Sequence, residues 1–278
     1  MQWIRTESHA YWLLTVVFFL LIGTWESFQP KRELTVPAGR RWRNHGLMLA
    51  IAAVCNTLLV RLSPVAAALL VANSRFGLLN RPMIPFVLRC VMTIAILDML
   101  HYWIHRSYHR IPWLWRLHKV HHSDPDYDVS TALRFHPVES ALSAAIQLGA
   151  IALLAPPVVA VLIGESMNVI INLSDHANAS LPEGVDKALR FVFITPDIHC
   201  IHHSEDIRDQ QLNMGVMFSW WDRLFGTYTP AASSGKAIFK TGLEGMENAD
   251  TRSLSFMLAE PFVHMKQEGQ EMRPDSLS

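Results

Sequence analysis

Five long apolar stretches lie within the first 173 residues and are separated by polar or proline-containing segments. They cover residues 10–25, 46–72, 85–103, 138–155 and 157–173. A helix needs about 20 apolar residues to cross the hydrocarbon core of a bilayer, so the pattern predicts about four to five transmembrane helices. Arg61 and Pro64 interrupt the second stretch, which fits either one tilted helix with a kink or a helix followed by a re-entrant piece. The last two stretches predict a helical hairpin that turns at Pro156 and Pro157.

The first apolar stretch carries no charge, and a cleaved signal peptide is the alternative to a membrane helix. We favour the membrane helix, because Gly23-Thr24-Trp25-Glu26 fits a cleavage site poorly. The following loop is basic and contains Lys31, Arg32, Arg40, Arg41 and Arg43. The tendency of basic loops to stay inside places this loop in the cytoplasm. With five crossings, residues 106–134 and those after Asp175 are predicted to form a helical cap on the cytoplasmic side.

Composition favours a membrane protein and excludes other classes. The chain has 278 residues, 24 Lys+Arg against 24 Asp+Glu, and only 17% charged residues, compared with about 25% in soluble domains. High hydrophobicity without net charge argues against a disordered chain and against a nucleic-acid-binding protein. Three cysteines, Cys55, Cys90 and Cys200, are too few for a disulfide framework. We interpret residues 1–262 as a single membrane-embedded domain and residues 263–278 as a flexible tail.

Histidine is the unusual residue of this chain, with 14 copies. Eight of them form three closely spaced groups: His105 and His109; His118, His121 and His122; His199, His202 and His203. Residues three and four apart share a helix face, so each group presents its imidazoles in one direction. Eight imidazole nitrogens exceed the four ligands of a tetrahedral zinc site, which predicts a dinuclear metal site. His136 and His176 stand alone at the ends of the predicted hairpin helices.

Polar residues at helical spacing lead to these histidines through otherwise apolar segments. The three stripes are His136, Glu139, Ser143 and Gln147; His176, Asn172, Asn168 and Glu165; and Asp98, His101, His105 and His109. Such residues usually face the interior of a membrane bundle. There they either orient metal ligands or join helices by hydrogen bonds. Of these residues, Asp98 and Glu165 are the better candidates for orienting a ligand.

Around the histidines the sequence resembles the fatty acid hydroxylase / sterol desaturase superfamily of integral membrane di-iron enzymes. The resemblance covers residues 98–228 and rests on Tyr102–Arg106, Leu114–Ser123, Thr131–Pro137, Thr195–Ser204 and Trp221–Tyr228. It implies an all-α integral membrane fold with a helical cytoplasmic cap. It also implies that the eight grouped histidines, together with His136 and His176, hold two iron ions, which zinc can replace on overexpression. Asp175 and His101 are unusual for the family and are further candidates near the metals.

The resemblance implies O2-dependent hydroxylation or desaturation of a C–H bond in a membrane lipid such as a fatty acyl, sterol or ether lipid. Electrons would come from a separate ferredoxin, cytochrome or reductase, because the sequence has no His-Pro-Gly-Gly haem motif and no Gly-rich dinucleotide fingerprint. Arg106, Arg110, Arg116 and Lys119 are a candidate docking face for an acidic carrier. Contact with anionic lipid is the alternative role of this face.

Two other functions fit a cluster of histidines in a membrane protein. One is a membrane di-zinc metallohydrolase, although the sequence has no H-E-x-x-H motif. The other is a metal-binding or transport protein. Transport favours ligands near the middle of the membrane, whereas these histidines lie at helix ends and in the cap.

Overall fold

The described part of the chain is helical, as the sequence predicts. A computed structural model describes residues 2–74, 76–236, 239–246 and 249–263, with side chains from residue 11 onward. Over these residues it contains α-helices, three short 3-10 helices and two isolated bridges, but no strand. The tail predicted for residues 263–278 lies outside the described residues, apart from Val263.

Eleven α-helices follow one another along the described residues. They are α1 (Gln2–Phe28), α2 (Ala38–Leu59), α3 (Pro64–Val71), α4 (Phe86–Arg110), α5 (Pro112–His122), α6 (Pro137–Leu154), α7 (Val158–Asp175), α8 (Glu183–Leu189), α9 (Pro196–His202), α10 (Trp220–Leu224) and α11 (Leu254–Ala259).

Five segments are long and apolar enough to cross a membrane, which confirms the predicted number of helices. They are Tyr11–Phe28, Ala38–Val71, Phe86–Arg110, Pro137–Leu154 and Val158–Asp175. Each overlaps one of the apolar stretches in the sequence. The ends agree to within three residues, except that the second segment begins eight residues earlier and the third ends seven residues later than predicted. The chain is therefore a multi-pass membrane protein.

The second apolar stretch forms two helices and not one kinked helix. After α2 ends at Leu59, Arg61 adopts a positive φ of 61°. Ser63 then caps the new helix α3 by accepting a hydrogen bond from the Ala66 N–H at 3.1 Å. Pro64 occupies the first turn of α3, where its missing N–H costs nothing. The proline that interrupts the apolar pattern is thus a helix start.

The two ends of the bundle differ in chemistry. Around α3 and the turn between α6 and α7, an apolar cluster includes Val65, Leu79, Ile151 and Leu154. At the other end the helices meet the cap formed by α5 and α8–α11. Glu26, near the end of α1, accepts hydrogen bonds there from the backbone N–H groups of residues 129 and 178 at 3.1 and 2.9 Å. All histidines of the three sequence groups lie at this end.

Candidate metal centre

Nine histidines form two compact groups where α4, α5, α7 and α9 meet. The five-histidine group contains His105, His109, His118, His122 and His202. The four-histidine group contains His121, His176, His199 and His203. Within each group, one potential ligand atom from every member lies within 4.8 Å of the others. All eight histidines of the three sequence groups are included, and His176 is the ninth.

The two histidine groups lie side by side because adjacent residues on a helix point in different directions. Consecutive helical residues are about 100° apart around the axis. His121 and His122 of α5 therefore enter different groups, and so do His202 and His203 at the end of α9. The rings of His122 and His203 stack with centroids 4.3 Å apart, which joins one group to the other.

The spacing of the ring nitrogens suits metal ligands. The Nε2 atoms of His105 and His202 are 3.0 Å apart, and that of His176 lies 3.2 Å from those of His121 and His199. Two nitrogens bound at right angles, each at about 2.1 Å from a metal, would be about 3 Å apart. The nitrogens are thus already at the separation that a shared ion requires.

Several buried ring nitrogens also lack partners. Within the described residues, both nitrogens of His109 and His122, and Nε2 of His118 and His203, have no hydrogen bond. Most buried polar atoms in folded proteins do have one. So many unpartnered imidazole nitrogens in one place indicate metal use, and the donor set fits ions that prefer neutral nitrogen ligands.

Oxygen atoms outside the groups fix the orientation of several rings. Nδ1 of His118 lies 2.5 Å from Glu139 Oε1. Nδ1 of His105 lies 2.9 Å from the Met214 carbonyl oxygen, and Nδ1 of His202 lies 2.8 Å from the Leu212 carbonyl oxygen. Each oxygen accepts a hydrogen bond from a protonated Nδ1. The proton on Nδ1 leaves a lone pair on Nε2 for a metal.

The Glu139 contact leads to a first prediction. Replacing Glu139 with Leu should weaken metal retention by the five-histidine group about 10- to 100-fold, because His118 loses the group that orients it. Glu139→Gln should weaken it less, since the amide oxygen can still accept from Nδ1–H. Competition with a chelator, followed by metal analysis, measures both effects. Glu183→Leu, at an exposed glutamate on α8, is the matched control, and equal losses in the Glu139 and Glu183 variants would contradict the role of Glu139.

Burial keeps the histidines of the cap neutral. Desolvation, followed by the neighbouring imidazoles, lowers the pKa of His121, His122, His199 and His203 well below the usual value. Burial lowers the pKa of His202 to about 3. A neutral imidazole is the form that binds metal, so these ligands would not have to lose a proton at neutral pH.

Two sequence candidates lie apart from both groups. His136 caps α6, where its Nδ1 accepts a hydrogen bond from the Val138 N–H at 3.2 Å, and its ring packs 5.8 Å from that of Phe262. His101 lies one turn before His105 on α4 and is a member of neither group. Asp175, in contrast, lies next to a ligand candidate, with Oδ1 2.6 Å from Nδ1 of His176.

Asp98 acts on a loop of the cap. It accepts hydrogen bonds from the backbone N–H groups of Met217 and Phe218 at 3.2 and 3.1 Å, and from the Trp221 indole N–H at 2.8 Å. The same loop carries the Met214 carbonyl that orients His105. Asp98 therefore acts on His105 indirectly, by holding the loop that carries this carbonyl.

The polar stripes on α6 and α7 serve both roles considered for them. Gln147 donates to Glu165 Oε1 at 2.6 Å, and the Ser143 hydroxyl lies 3.1 Å from that of Tyr108. These hydrogen bonds join helices. Glu139, at the start of the same stripe, orients a ligand candidate. The carboxylate of Glu139 thus lies against a histidine on α5, whereas that of Glu165 accepts a hydrogen bond from Gln147.

Behind α5 lies a buried charged network that the sequence interpretation missed. Arg41 is fully buried and forms ion pairs with Asp124 and Asp128, both at 2.5 Å, while Asp126 lies 3.8 Å away. Although burial alone would raise it, Arg41 and Arg134 hold the pKa of Asp124 well below its usual value. Assigning Arg41 to the basic loop was wrong, because it lies in α2 and is buried. The signal in the sequence was the alternation of aspartates directly after the second histidine group.

Arg134, which belongs to this region, contacts the C-terminal end of α5. Arg134 donates to the Val120 carbonyl at 2.7 Å and to the Ser123 hydroxyl at 2.6 Å.

Lys119 is buried and paired with Glu260 at 2.5 Å. The sequence had suggested that Lys119 belongs to an exposed docking face. That was wrong, because Lys119 is buried and forms an ion pair inside the protein.

Comparisons with known proteins identify one matching family model and several relatives. Residues 90–227 match the family model described as fatty acid hydroxylase. An alkylglycerol monooxygenase of Danio rerio is 36% identical over 143 residues, which are 51% of this chain and 30% of the relative. The ornithine lipid hydroxylase OlsE of Rhizobium tropici is 30% identical over 159 residues, 57% of this chain and 47% of the relative.

A third relative extends the range of substrates named among similar proteins. Methylsterol monooxygenase 1 of Rattus norvegicus is 28% identical over 139 residues, 50% of this chain and 46% of the relative. The chain thus spans less than half the length of each of these three curated relatives. No solved structure matches the chain.

Proposed function

We propose that this chain, which belongs to the fatty acid hydroxylase family through residues 90–227, uses two metal ions and O2 to oxidise a C–H bond in a membrane lipid. The observation that carries the proposal is the pair of adjacent, buried histidine groups at one end of five membrane-spanning segments. Three relatives are named as enzymes acting on an ether lipid, an ornithine lipid and a sterol, which supports a lipid substrate here.

The proposed metal ions are iron, one in each histidine group. Two bound irons would supply O2 activation and C–H oxidation, which yields a hydroxylated or a desaturated lipid. The chain supplies neutral imidazoles, the oxygens that orient them and a site from which water is largely excluded. Zinc would occupy the same nitrogens when it is abundant.

The proposal also includes the route of the lipid substrate, the source of electrons and the orientation of the chain in the membrane. A lipid would reach the histidines laterally between the membrane helices, since the groups lie where those helices meet the cap. Electrons would come from a separate ferredoxin, cytochrome or reductase. Basic residues near the same end, including Lys31, Arg32 and Arg43, support placing the cap in the cytoplasm.

Oxygen consumption tests the proposed reaction. Iron-reconstituted protein, given a reductant and lipids extracted from membranes, should consume O2 and produce lipids that have gained one oxygen or lost two hydrogens. Mass spectrometry of the lipids detects both products, and His203→Ala is the control that should give neither. Hydrolysed lipid formed by the zinc-loaded protein without O2 uptake would instead establish a metallohydrolase.

A further inference from the structure

A cavity of about 300 Å³ lies on the side of α9 that faces away from the histidines. Its lining includes Asp197 and Ile201 of α9. At about 100° per residue, these two residues point away from His199, His202 and His203. The cavity is therefore separate from the candidate metal centre.

Four cationic side chains line this cavity: Lys31, Arg32, Arg190 and Lys236. Two of them are neutralised, because Lys31 pairs with Asp197 at 2.5 Å and Arg190 pairs with Asp186. Within the described residues, Arg32 and Lys236 form no ion pair. The cavity thus has an excess of positive charge.

The guanidinium groups also have hydrogen-bonding capacity to spare. The Nε atoms of Arg32 and Arg190 are buried and have no hydrogen-bond partner among the described residues. A buried donor without a partner is costly, which favours a ligand with acceptor oxygens at these two side chains. Arginine is well suited to such a ligand, since its planar fork matches the geometry of phosphate.

Arg32 is held in place before any ligand binds. Its backbone N–H donates to the Asn178 side-chain oxygen at 3.1 Å, and the Asn178 amide donates back to the Arg32 carbonyl at 2.8 Å. Its guanidinium lies over the rings of Phe239 and Tyr127, at 5.2 and 5.9 Å from their centroids, and also contacts the Cys200 thiol. This arrangement lowers the entropic cost of binding an anion.

The cavity lies close to the level of the membrane surface. Arg32 is four residues beyond Phe28, the last residue of α1, and four residues of extended chain reach at most about 14 Å. Arg190 is flanked by Leu189 and Phe191, whose side chains are exposed by 39% and 70%. A cationic site with exposed apolar neighbours suits the boundary between lipid headgroups and water.

We propose that this cavity binds the phosphate group of an anionic membrane lipid. The phosphate oxygens accept hydrogen bonds from Arg32 and Arg190, and the excess positive charge balances the charge of the headgroup. Inorganic phosphate shares this chemistry, but the position beside the end of α1 favours a lipid. The proposal does not depend on the metal centre, because none of the nine grouped histidines lines the cavity.

Binding to metal-depleted, full-length protein in a neutral detergent tests the proposal. Dihexanoyl phosphatidylglycerol should raise the melting temperature in a saturable manner, whereas dihexanoyl glycerol, which has no phosphate, should not. Arg32→Gln should weaken the lipid about tenfold or more. Lys236→Gln, at an exposed position, should weaken it as well. Arg40→Gln, at a surface arginine paired with Asp250, is the matched control.

Three results would overturn the proposal. Equal stabilisation by the neutral lipid would show that the tails and not the phosphate are recognised. Unchanged affinity in both the Arg32 and the Lys236 variant would place the site elsewhere. Inorganic phosphate that binds as tightly as phosphatidylglycerol would show that the lipid contributes nothing. Because no metal is present, none of these results bears on the proposed oxidation.

Discussion

His203→Ala is expected to leave the protein with about one bound metal ion in place of two. Among the described residues, the four-histidine group has no spare imidazole, because His203 is one of four histidines in it. Loss of a group that merely orients a ligand weakens metal binding about 10- to 100-fold, so loss of the ligand itself should cost at least that much. Metal analysis after dialysis against a weak chelator measures the effect.

The neighbouring residue provides the comparison. His202 belongs to the five-histidine group, which keeps four imidazoles when His202 is replaced by Ala, and a smaller loss is expected there. His136→Asn keeps an acceptor for the cap of α6 and should retain both ions, since His136 lies outside both groups. Full metal retention by His203→Ala would contradict the assignment of the four-histidine group.

Arg41→Met should destabilise the protein by about 3–5 kcal/mol, since it leaves buried carboxylates without their cation. Asp124 and Asp128 both pair with Arg41 and lie out of contact with solvent. A loss of this size should lower the melting temperature in detergent by roughly 10 °C. Arg41→Lys should recover only part of it, because an ammonium group lacks the fork that contacts two carboxylates at once.

The adjacent residue is again the control. Arg40 is an arginine on the same helix turn, but its pair with Asp250 is about half exposed. Exposed pairs contribute roughly 0–1 kcal/mol, so Arg40→Met should change the melting temperature little. Similar decreases in the Arg40 and Arg41 variants would show that the buried network does not carry the stability assigned to it.

The membrane helices were predictable because they depend on local spacing. An apolar stretch long enough to span a bilayer forms a helix wherever it packs. The prediction that each sequence group presents its imidazoles in one direction was wrong, because the adjacent residues His121 and His122 enter different groups, and so do His202 and His203. The break before α3 was visible in the sequence as Pro64, although its outcome depended on the cap that Ser63 provides.

The contacts between helices could not be predicted from spacing. Glu139 and Glu165 lie in similar polar stripes, but only the rotation of α6 against α5 places Glu139 beside His118. The resemblance implied that His136 is a metal ligand, yet its side chain serves as the cap of α6. These outcomes depend on tertiary packing, and a single sequence carries no direct signal for it.

The arginines before the second apolar stretch were the most misleading feature of the sequence. A run of arginines before an apolar stretch is typical of a cytoplasmic loop, but Arg40 and Arg41 both lie in the first turn of α2, and Arg40 is half exposed. Arg41 instead points into the protein, because three aspartates distant in sequence surround it there. Buried ion pairs of this kind are recognisable only when both partners are located in space.

Metal identity and stoichiometry on untagged protein test the central claim most directly, because a histidine tag would add its own metal. We predict about two metal ions per chain, with iron as the ion that supports O2 consumption and with one ion lost in His203→Ala. A well-folded preparation that binds one ion or none, even after reconstitution with iron, would contradict the assignment of the two histidine groups as a dinuclear centre.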